Sequence, residues 1–371
     1  MVVGAGCFGA WTALRLRESG RSVALIDALG PGHSRSSSGG ATRIIRMGYG
    51  SCEIYTRWAL ESLAEWKRLF ERAGSPELFQ HTGVLWTALK GHAHAEDTRT
   101  TFERLGVRYQ TLTSDQVRKQ YPLLRFDDEM TGVLECDSGA LLASRAVQAA
   151  AAEAVRMGAG MLTARVLPPR QEGRLDWIAT EDQRKIAGDV FLFACGPWLP
   201  KLFPRLLRDR IRVTRQEVFY FSFDPAAMPI WIDFSDPRGV YTLPPLAGKG
   251  FKLALDRHGP EFDPDTEVRN VSAEQVAEAR AFLRERFPAV ANAPLLETEV
   301  CQYENTCNGD FLIDRHPEYE NVWLAGGGSG HGFKHGPAVG AYVASLVDGS
   351  LDAEPRFSFE SKTAVRERTV F

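Results

Sequence analysis

The chain opens on a short apolar run, Met1 to Val3, that reads as a strand and passes into a glycine-rich turn. A helix follows from about Ala10 to Ser19, and Ser22 to Asp27 reads as the next strand. Residues 28 to 50, rich in Gly, Ser and Arg, form a long loop of functional character. Glu53 to Ala73 has helical periodicity, with Trp58, Leu60, Leu63, Trp66 and Leu69 on an apolar stripe. From 77 to 140 the pattern changes to short strands and helices. Ala143 to Met157 is an alanine-rich helix, Met161 to Val166 a strand, and Val190 to Ala194 an apolar run suited to a buried parallel strand. Arg212 to Asp256 alternates and is rich in aromatics, as in an antiparallel sheet. Ser272, with Gln275 three residues on, predicts a capping box that opens a helix to Phe287. Strands at Glu297 to Tyr303 and Val322 to Ala325 and a helix from Gly336 complete the pattern.

Strand–helix–strand character thus occupies both ends and one middle block, and antiparallel character fills the two gaps. The fold class expected is α/β, and α+β overall. A Rossmann-like domain is assembled from 1–76, 141–211 and 297–371, and an antiparallel-sheet substrate domain is inserted as 77–140 and 212–296. No internal repeat interrupts this reading.

Composition narrows the function classes. The 371 residues are 44% hydrophobic and 25% charged, ordinary for a globular enzyme. A net charge of -3 supplies no positive field for nucleic acid or an anionic membrane surface. No run of 18 apolar residues and no leader pattern is present, so a cytoplasmic location is expected. The cysteines, at 7, 52, 136, 195, 301 and 307, are scattered and suit a reducing compartment. No grouping of ligand residues has zinc spacing, so no metal site is expected.

Gly4-Ala5-Gly6-Cys7-Phe8-Gly9 is a G-x-G-x-x-G turn between strand and helix. Glycines there let the backbone turn tightly and approach a pyrophosphate, and the helix N-terminus offers N–H groups. Asp27 closes the second strand where a carboxylate meets a ribose diol. The turn alone does not choose between FAD and NAD. Two further elements favour FAD: the loop Ser36 to Arg46, with its small donors and arginines, and the second glycine run, Gly326 to Gly332, ahead of a late helix. The cofactor-binding set expected is Gly4, Gly6, Cys7, Phe8, Gly9, Asp27, Ala28, Ser36, Ser37, Thr42, Arg43 and Ile44. It continues with Val166, Cys195, Gly196, Trp198, Cys301, Gly328, Gly330, His331, Gly332, Phe333 and Lys334.

With these residues in hand, the chain resembles the monomeric sarcosine oxidase and N-methyltryptophan oxidase family of flavoproteins, nearly end to end. The most specific match is Cys301-Gln302-Tyr303-Glu304-Asn305-Thr306, then Asp310-Phe311-Leu312-Ile313-Asp314, His316-Pro317 and Ser329-Gly330-His331-Gly332-Phe333-Lys334. Thr42-Arg43-Ile44-Ile45-Arg46 and Gly250-Phe251-Lys252-Leu253 add to it. The resemblance implies FAD, joined through Cys301 to the flavin 8α position, and a monomeric oxidase of amino acids with oxygen as acceptor. It implies that Arg46 and Lys334 hold a substrate carboxylate and that Lys252 promotes the reaction with oxygen. It also implies that Tyr241 and Tyr303 shape the substrate cavity and that Arg43 lies close to the flavin. Three positions depart from the pattern. Gly39 and Asp256 stand where the sarcosine oxidases have histidines, and Cys307 stands where a proline is usual. A carboxylate at 256 occurs in the fructosyl amino acid oxidases, where it contacts the sugar.

Each residue also has a plainer reading. A lone buried cysteine is ordinarily inert, and Cys195 and Cys307 are read as structural. Arg46 and Lys334 are either solvated charges or a two-point clamp, an arginine fork beside a lysine point charge. Lys252, between Phe251 and Leu253, faces either solvent or the flavin. His331 either packs on its turn or bonds near the flavin. Asp256 either enters the substrate cavity or pairs with Arg257.

Overall fold

The computed structural model describes residues 1–225, 227–236 and 238–362. Two large sheets organise it. The first has six strands, in the order Leu312–Arg315, Val322–Gly326, Phe191–Phe193, Val2–Val3, Ala24–Asp27 and Gly160–Thr163. All its pairings are parallel except that of Leu312–Arg315 with Val322–Gly326. The run Phe191–Phe193 is wholly buried between neighbours, as its continuous apolarity predicts. Three helices, Cys7–Glu18, Ala143–Arg156 and Gly336–Val347, pack together beside this sheet.

Glycines set how closely these parts approach. Gly4 adopts φ +100°, open in practice only to glycine, and a Cβ there would strike the backbone of Ala194. A Cβ on Gly9 would overlap the carbonyl of Gly4. On the late helix, a Cβ at Gly340 would stand 2.7 Å from the carbonyl carbon of Trp11. The first helix therefore lies directly on the last one. It begins at Cys7, a turn earlier than its apolar periodicity indicates, because Gly6 is its cap and the glycines before Ala10 carry no side-chain pattern.

The second sheet has eight strands, in the order Leu295–Thr306, Ile211–Phe221, Phe251–Leu255, Val240–Leu243, Ile230–Asp233, Val84–Leu89, Met130–Glu135 and Tyr109–Leu112. It is antiparallel except where Ile230–Asp233 runs parallel to Val84–Leu89. That pairing joins the two inserted blocks into one sheet. The capping box at Ser272 and Gln275 is present, and its helix is Ala273–Arg286. The helix buries Ala279, Phe282 and Leu283 on the face that carries Trp231, Phe251 and Leu253. Alternation along the strand turns Lys252 the other way. A three-stranded sheet of Arg43–Ile45, Gly139–Leu141 and Phe79–Gln80 holds the end of the early loop.

Two expectations need correction. The strand expected to reach Val166 ends at Thr163, and Val166 makes only an isolated bridge with Thr180. On the helix Glu53–Arg72, Trp58 and Leu60 are only half-buried, while Tyr55, Ala59, Trp66 and Phe70 are buried. The helix is gripped more broadly than a single stripe suggests, and Trp66 stacks on Phe333 at 5.8 Å. No helix among the described residues is long and apolar enough to cross a membrane.

Packing at Gly340 gives a direct test. Gly340→Ala places a methyl against the backbone of Trp11, in a core that cannot yield without separating the first and last helices. It should destabilise the protein by about 1–3 kcal/mol, although alanine is the better helix former in isolation. Urea unfolding of wild type and variant measures this, and an unchanged midpoint would mean that the helices have room to part.

Candidate functional site

The glycine turn, the early loop and the late glycine run converge on a cavity of about 340 Å³. At one end are Asp27 and Ala28, then Gly4, Gly6, Cys7 and Phe8 around the N-terminus of the first helix. Ser36, Ser37 and Arg43 come from the early loop, and Val166, Cys195, Gly196 and Trp198 from the middle block. Gly328, Gly330, Gly332 and Phe333 close the far end. A second cavity, of about 120 Å³, adjoins it. Thr42, Ile44, Arg46, Tyr241, Lys252, Asp256, Cys301, His331 and Lys334 line this one. Arg43, Tyr303, Gly330 and Phe333 line both and so form the wall between them. Of the cofactor, catalytic and substrate residues expected from sequence, Gly9 alone lines neither, and its part is the close packing already described.

In the larger cavity the first helix presents its N-terminus with no side-chain cap and no acidic residue in its first turn. The N–H groups there are suited to an anion. Asp27 accepts from the Ala5 N–H at 2.7 Å through one oxygen and from Leu29 and Gly30 at 2.8 Å through the other. It therefore ties the strand end to the glycine turn while retaining acceptor capacity toward the cavity. Cys7 is read from the sequence only as part of the turn, yet its thiol reaches the carbonyl of Phe333 at 3.0 Å and fastens the two glycine segments together.

Glu304 escaped the sequence reading. Its carboxyl lines the same cavity, one oxygen accepts from the Gly328 N–H at 3.3 Å, and the other is buried with no hydrogen-bond partner among the described residues. Burial pushes its pKa up to about 7. An unpartnered buried carboxyl oxygen among glycines is a place where a bound polar group belongs. A dinucleotide fits this cavity, with backbone N–H groups for phosphates at one end and room bounded by glycines at the other. Asp27, Gly6, Gly196, Glu304 and Gly328 are the residues that would hold it.

The second cavity is dominated by cations. Arg43 donates to the carbonyls of Ser37 at 2.6 Å and Thr42 at 2.8 Å, and stands 3.2 Å from Cys301 Sγ. Lys252 is 3% exposed, with Nζ 3.3 Å from both the carbonyl and the hydroxyl of Thr42. Burial, and then the charge of Arg43, lower its pKa to about 7. The lysine therefore faces the interior. Arg46 is buried, donates to the carbonyl of Gly48, and lies over the rings of Tyr49 at 4.5 Å and Trp86 at 4.7 Å. Lys334 is buried too and donates to the Tyr49 hydroxyl and the His331 carbonyl, each at 2.9 Å. These side chains are not solvated surface charges. Their convergence in a low-dielectric cavity suits it to an anion.

Behind them, Glu135 accepts from the N–H groups of Met47 at 2.7 Å and Gly48 at 2.8 Å and from Trp86 Nε1 at 2.6 Å, and Ser138 donates to it as well. This buried carboxylate holds the segment after Arg46 in place. Nothing in its local sequence announces the role, which comes from its register against Val84 in the sheet. His331 both packs on Phe311 at 4.8 Å and places Nε2 2.9 Å from the Gly309 carbonyl. Asp256 accepts from the Tyr303 hydroxyl at 2.7 Å, while Arg257 turns away to Glu278. Gly39 leaves no room for the histidine of the related pattern, because a Cβ there would overlap the carbonyl of His33.

Comparison with known proteins agrees with this geometry. The chain is 33% identical over 364 residues to a monomeric sarcosine oxidase of Bacillus sp. (strain B-0618), covering 94% of this chain and 91% of that one. It is 28% identical to an N-methyl-L-tryptophan oxidase of Yersinia pestis (strain Pestoides F), covering 93% of each. Among solved structures, the L-proline dehydrogenase of P. horikoshii superimposes with a TM-score of 0.84 at 22% identity, covering 96% of each chain, which speaks for the fold. The model of FAD dependent oxidoreductases designated DAO matches residues 1–346. The chain belongs to this family of FAD dependent oxidoreductases, and the dinucleotide its larger cavity is shaped to hold is FAD.

Proposed function

We propose that this flavoprotein oxidises the C–N bond of a secondary or N-substituted amino acid, with oxygen as the final acceptor. One observation carries the reading: Arg46 and Lys334 meet in a cavity that shares a wall with the FAD cavity. FAD, when bound, supplies the redox chemistry by taking two electrons from the amine and passing them on. The protein supplies the rest. Arg46 and Lys334 hold the carboxylate, and Tyr241 and Tyr303 bound the space for the amine. The substrate leaves as an imine that water hydrolyses, and oxygen takes up two electrons and two protons to give hydrogen peroxide. The sarcosine and N-methyltryptophan oxidases among the relatives support this substrate class. Action as a monomer in the cytoplasm belongs to the same proposal, as does the division into domains given above.

Covalent attachment of FAD through Cys301 is part of the reading. The Cys301 sulfur lines the cavity wall beside the FAD cavity, and the guanidinium of Arg43 holds it in place at 3.2 Å. After acid denaturation and gel electrophoresis, the wild-type band should fluoresce under ultraviolet light and that of Cys301→Ser should not. Fluorescence that runs with the small molecules in wild type would rule out the bond and leave FAD binding intact.

Lys252 is proposed to assist the reaction with oxygen as a fixed cation. Its pKa is lowered, so the cation is fully present only below about 7 and is lost as pH rises through that value. Rapid mixing of the pre-reduced enzyme with oxygen should show the rate falling with pH through this range. Lys252→Met should be slower by about 100- to 1000-fold at low pH and flat with pH, with reduction by substrate little changed. Equal losses in both half-reactions would assign Lys252 to binding or folding instead.

Asp256 bears on the substrate's far end. It lines the second cavity with Glu217 and Asp233. A carboxylate there favours hydroxyls or a cation and penalises an apolar group. We therefore propose a substrate larger and more polar than sarcosine, such as a sugar-modified or amine-bearing amino acid. Peroxide production with sarcosine, N-methyltryptophan, pipecolate and a fructosyl amino acid tests this. The polar substrate should lead in wild type and lose about tenfold or more in kcat/KM in Asp256→Ala. Sarcosine as the best substrate, or an unchanged ranking, would remove Asp256 from specificity. Reduction of a dye without peroxide would make the enzyme a dehydrogenase.

A further inference from the structure

The two cations of the clamp meet on one residue, Tyr49, which is buried between them. The Arg46 guanidinium lies over its ring, and Lys334 Nζ lies 2.9 Å from its hydroxyl. An ammonium has only protons to give, so the tyrosine oxygen accepts in that bond and its own proton points elsewhere. Two imidazole nitrogens lie within reach, His335 Nε2 at 2.8 Å and His331 Nδ1 at 3.3 Å. His335 is fully buried, and burial together with the charge of Lys334 holds its pKa well below the ordinary range, so its ring is neutral. Its Nδ1 has no hydrogen-bond partner among the described residues, so its polar contact is the one that Nε2 makes with Tyr49. The hydroxyl of Tyr49 is thereby held in a fixed place between Lys334 and the imidazoles. The ring contacts of His335 with Tyr55 at 5.4 Å and Phe311 at 5.6 Å hold the imidazole in that orientation.

We propose that Tyr49 is the positioning residue of the clamp, its ring carrying Arg46, its hydroxyl fixing Lys334, and His335 holding that hydroxyl in place. Tyr49 itself does not touch the reacting atoms. It sets the spacing between the guanidinium and the ammonium, and thereby the affinity for a carboxylate over a neutral group of the same shape. This rests on the reading that Arg46 and Lys334 bind the substrate carboxylate.

Acetate and acetamide test both levels on the FAD-loaded enzyme, with binding followed by the change in flavin absorbance. Wild type should bind acetate more tightly than acetamide. Tyr49→Phe keeps the ring under Arg46 and removes the oxygen. It should weaken acetate about tenfold, the scale of one hydrogen bond to a charged group, and leave acetamide within twofold. For substrate, KM should rise more than kcat falls. His335→Phe should show the same selective loss, and His335→Gln, which retains a hydrogen-bonding group, should recover most of it. An unchanged acetate-to-acetamide ratio in Tyr49→Phe and His335→Phe would overturn the role given to Tyr49. A ratio near one in wild type would overturn the clamp itself. Should Tyr49→Phe fail to retain FAD, the two His335 variants decide the matter alone.

Discussion

The pairing of Leu295–Thr306 along Ile211–Phe221 is the constraint on which the site depends. It runs from Ile211 opposite Thr306 to Phe221 opposite Leu295. That strand passes between the two cavities, and strand geometry sends successive side chains to opposite sides. Gln302 and Glu304 enter the FAD cavity, Cys301 enters the second cavity, and Tyr303 reaches both. A slip of one residue would exchange these sets. Cys301 would be carried away from Arg43 and Tyr303 away from Asp256. The register of this one pairing therefore decides which groups line the FAD cavity and which line the second one.

The second constraint is electrostatic. Arg43, Arg46, Lys252 and Lys334 all line a cavity of about 120 Å³, where like charges repel. The structure tolerates them because each has carbonyls, hydroxyls or ring faces around it. Carbonyl oxygens bear on Arg43, Arg46, Lys252 and Lys334 alike. Such groups neutralise part of a cation's field without cancelling its charge. Of the carboxylates that share the cavity lining, Glu217 and Asp233 pair with arginines other than these, and Asp256 accepts from Tyr303. Glu135 shows the alternative use of a buried carboxylate: fully bonded to Met47, Gly48, Trp86 and Ser138, it shapes the loop while staying out of the clamp.

The contrast explains what could be read from the sequence. The glycine turn, the capping box at Ser272 and the apolar run Phe191–Phe193 are local patterns with local causes, and each was legible. So was the inward turn of Lys252 as one of two options, because alternation with Phe251 and Leu253 restricts it to a face. Which face is core was not legible, since that depends on where the Ala273–Arg286 helix lands. Tyr49, Glu135 and Glu304 were missed for a related reason. Their meaning lies in partners 285, 87 and 24 residues away, Lys334, Gly48 and Gly328. No periodicity within a window connects residues at such separations. Arg46 and Lys334 were legible only through the likeness of the segments that carry them, not from their own surroundings.

The shared wall has a consequence for reading any variant of this site. Arg43, Tyr303, Gly330 and Phe333 face FAD on one side and the second cavity on the other. A Cβ on Gly330 would press into the ring of Tyr303, and Tyr303 in turn carries the hydroxyl bonded to Asp256. A change made on the cofactor side is thus transmitted through one aromatic ring to Asp256 in the second cavity. Phe333 extends the coupling the other way, through its stack on Trp66, whose Nε1 donates to the carbonyl of Lys334 at 3.1 Å. The two cavities are therefore mechanically linked by packed, directional contacts. An effect on one cannot be assigned to a wall residue without measuring the other.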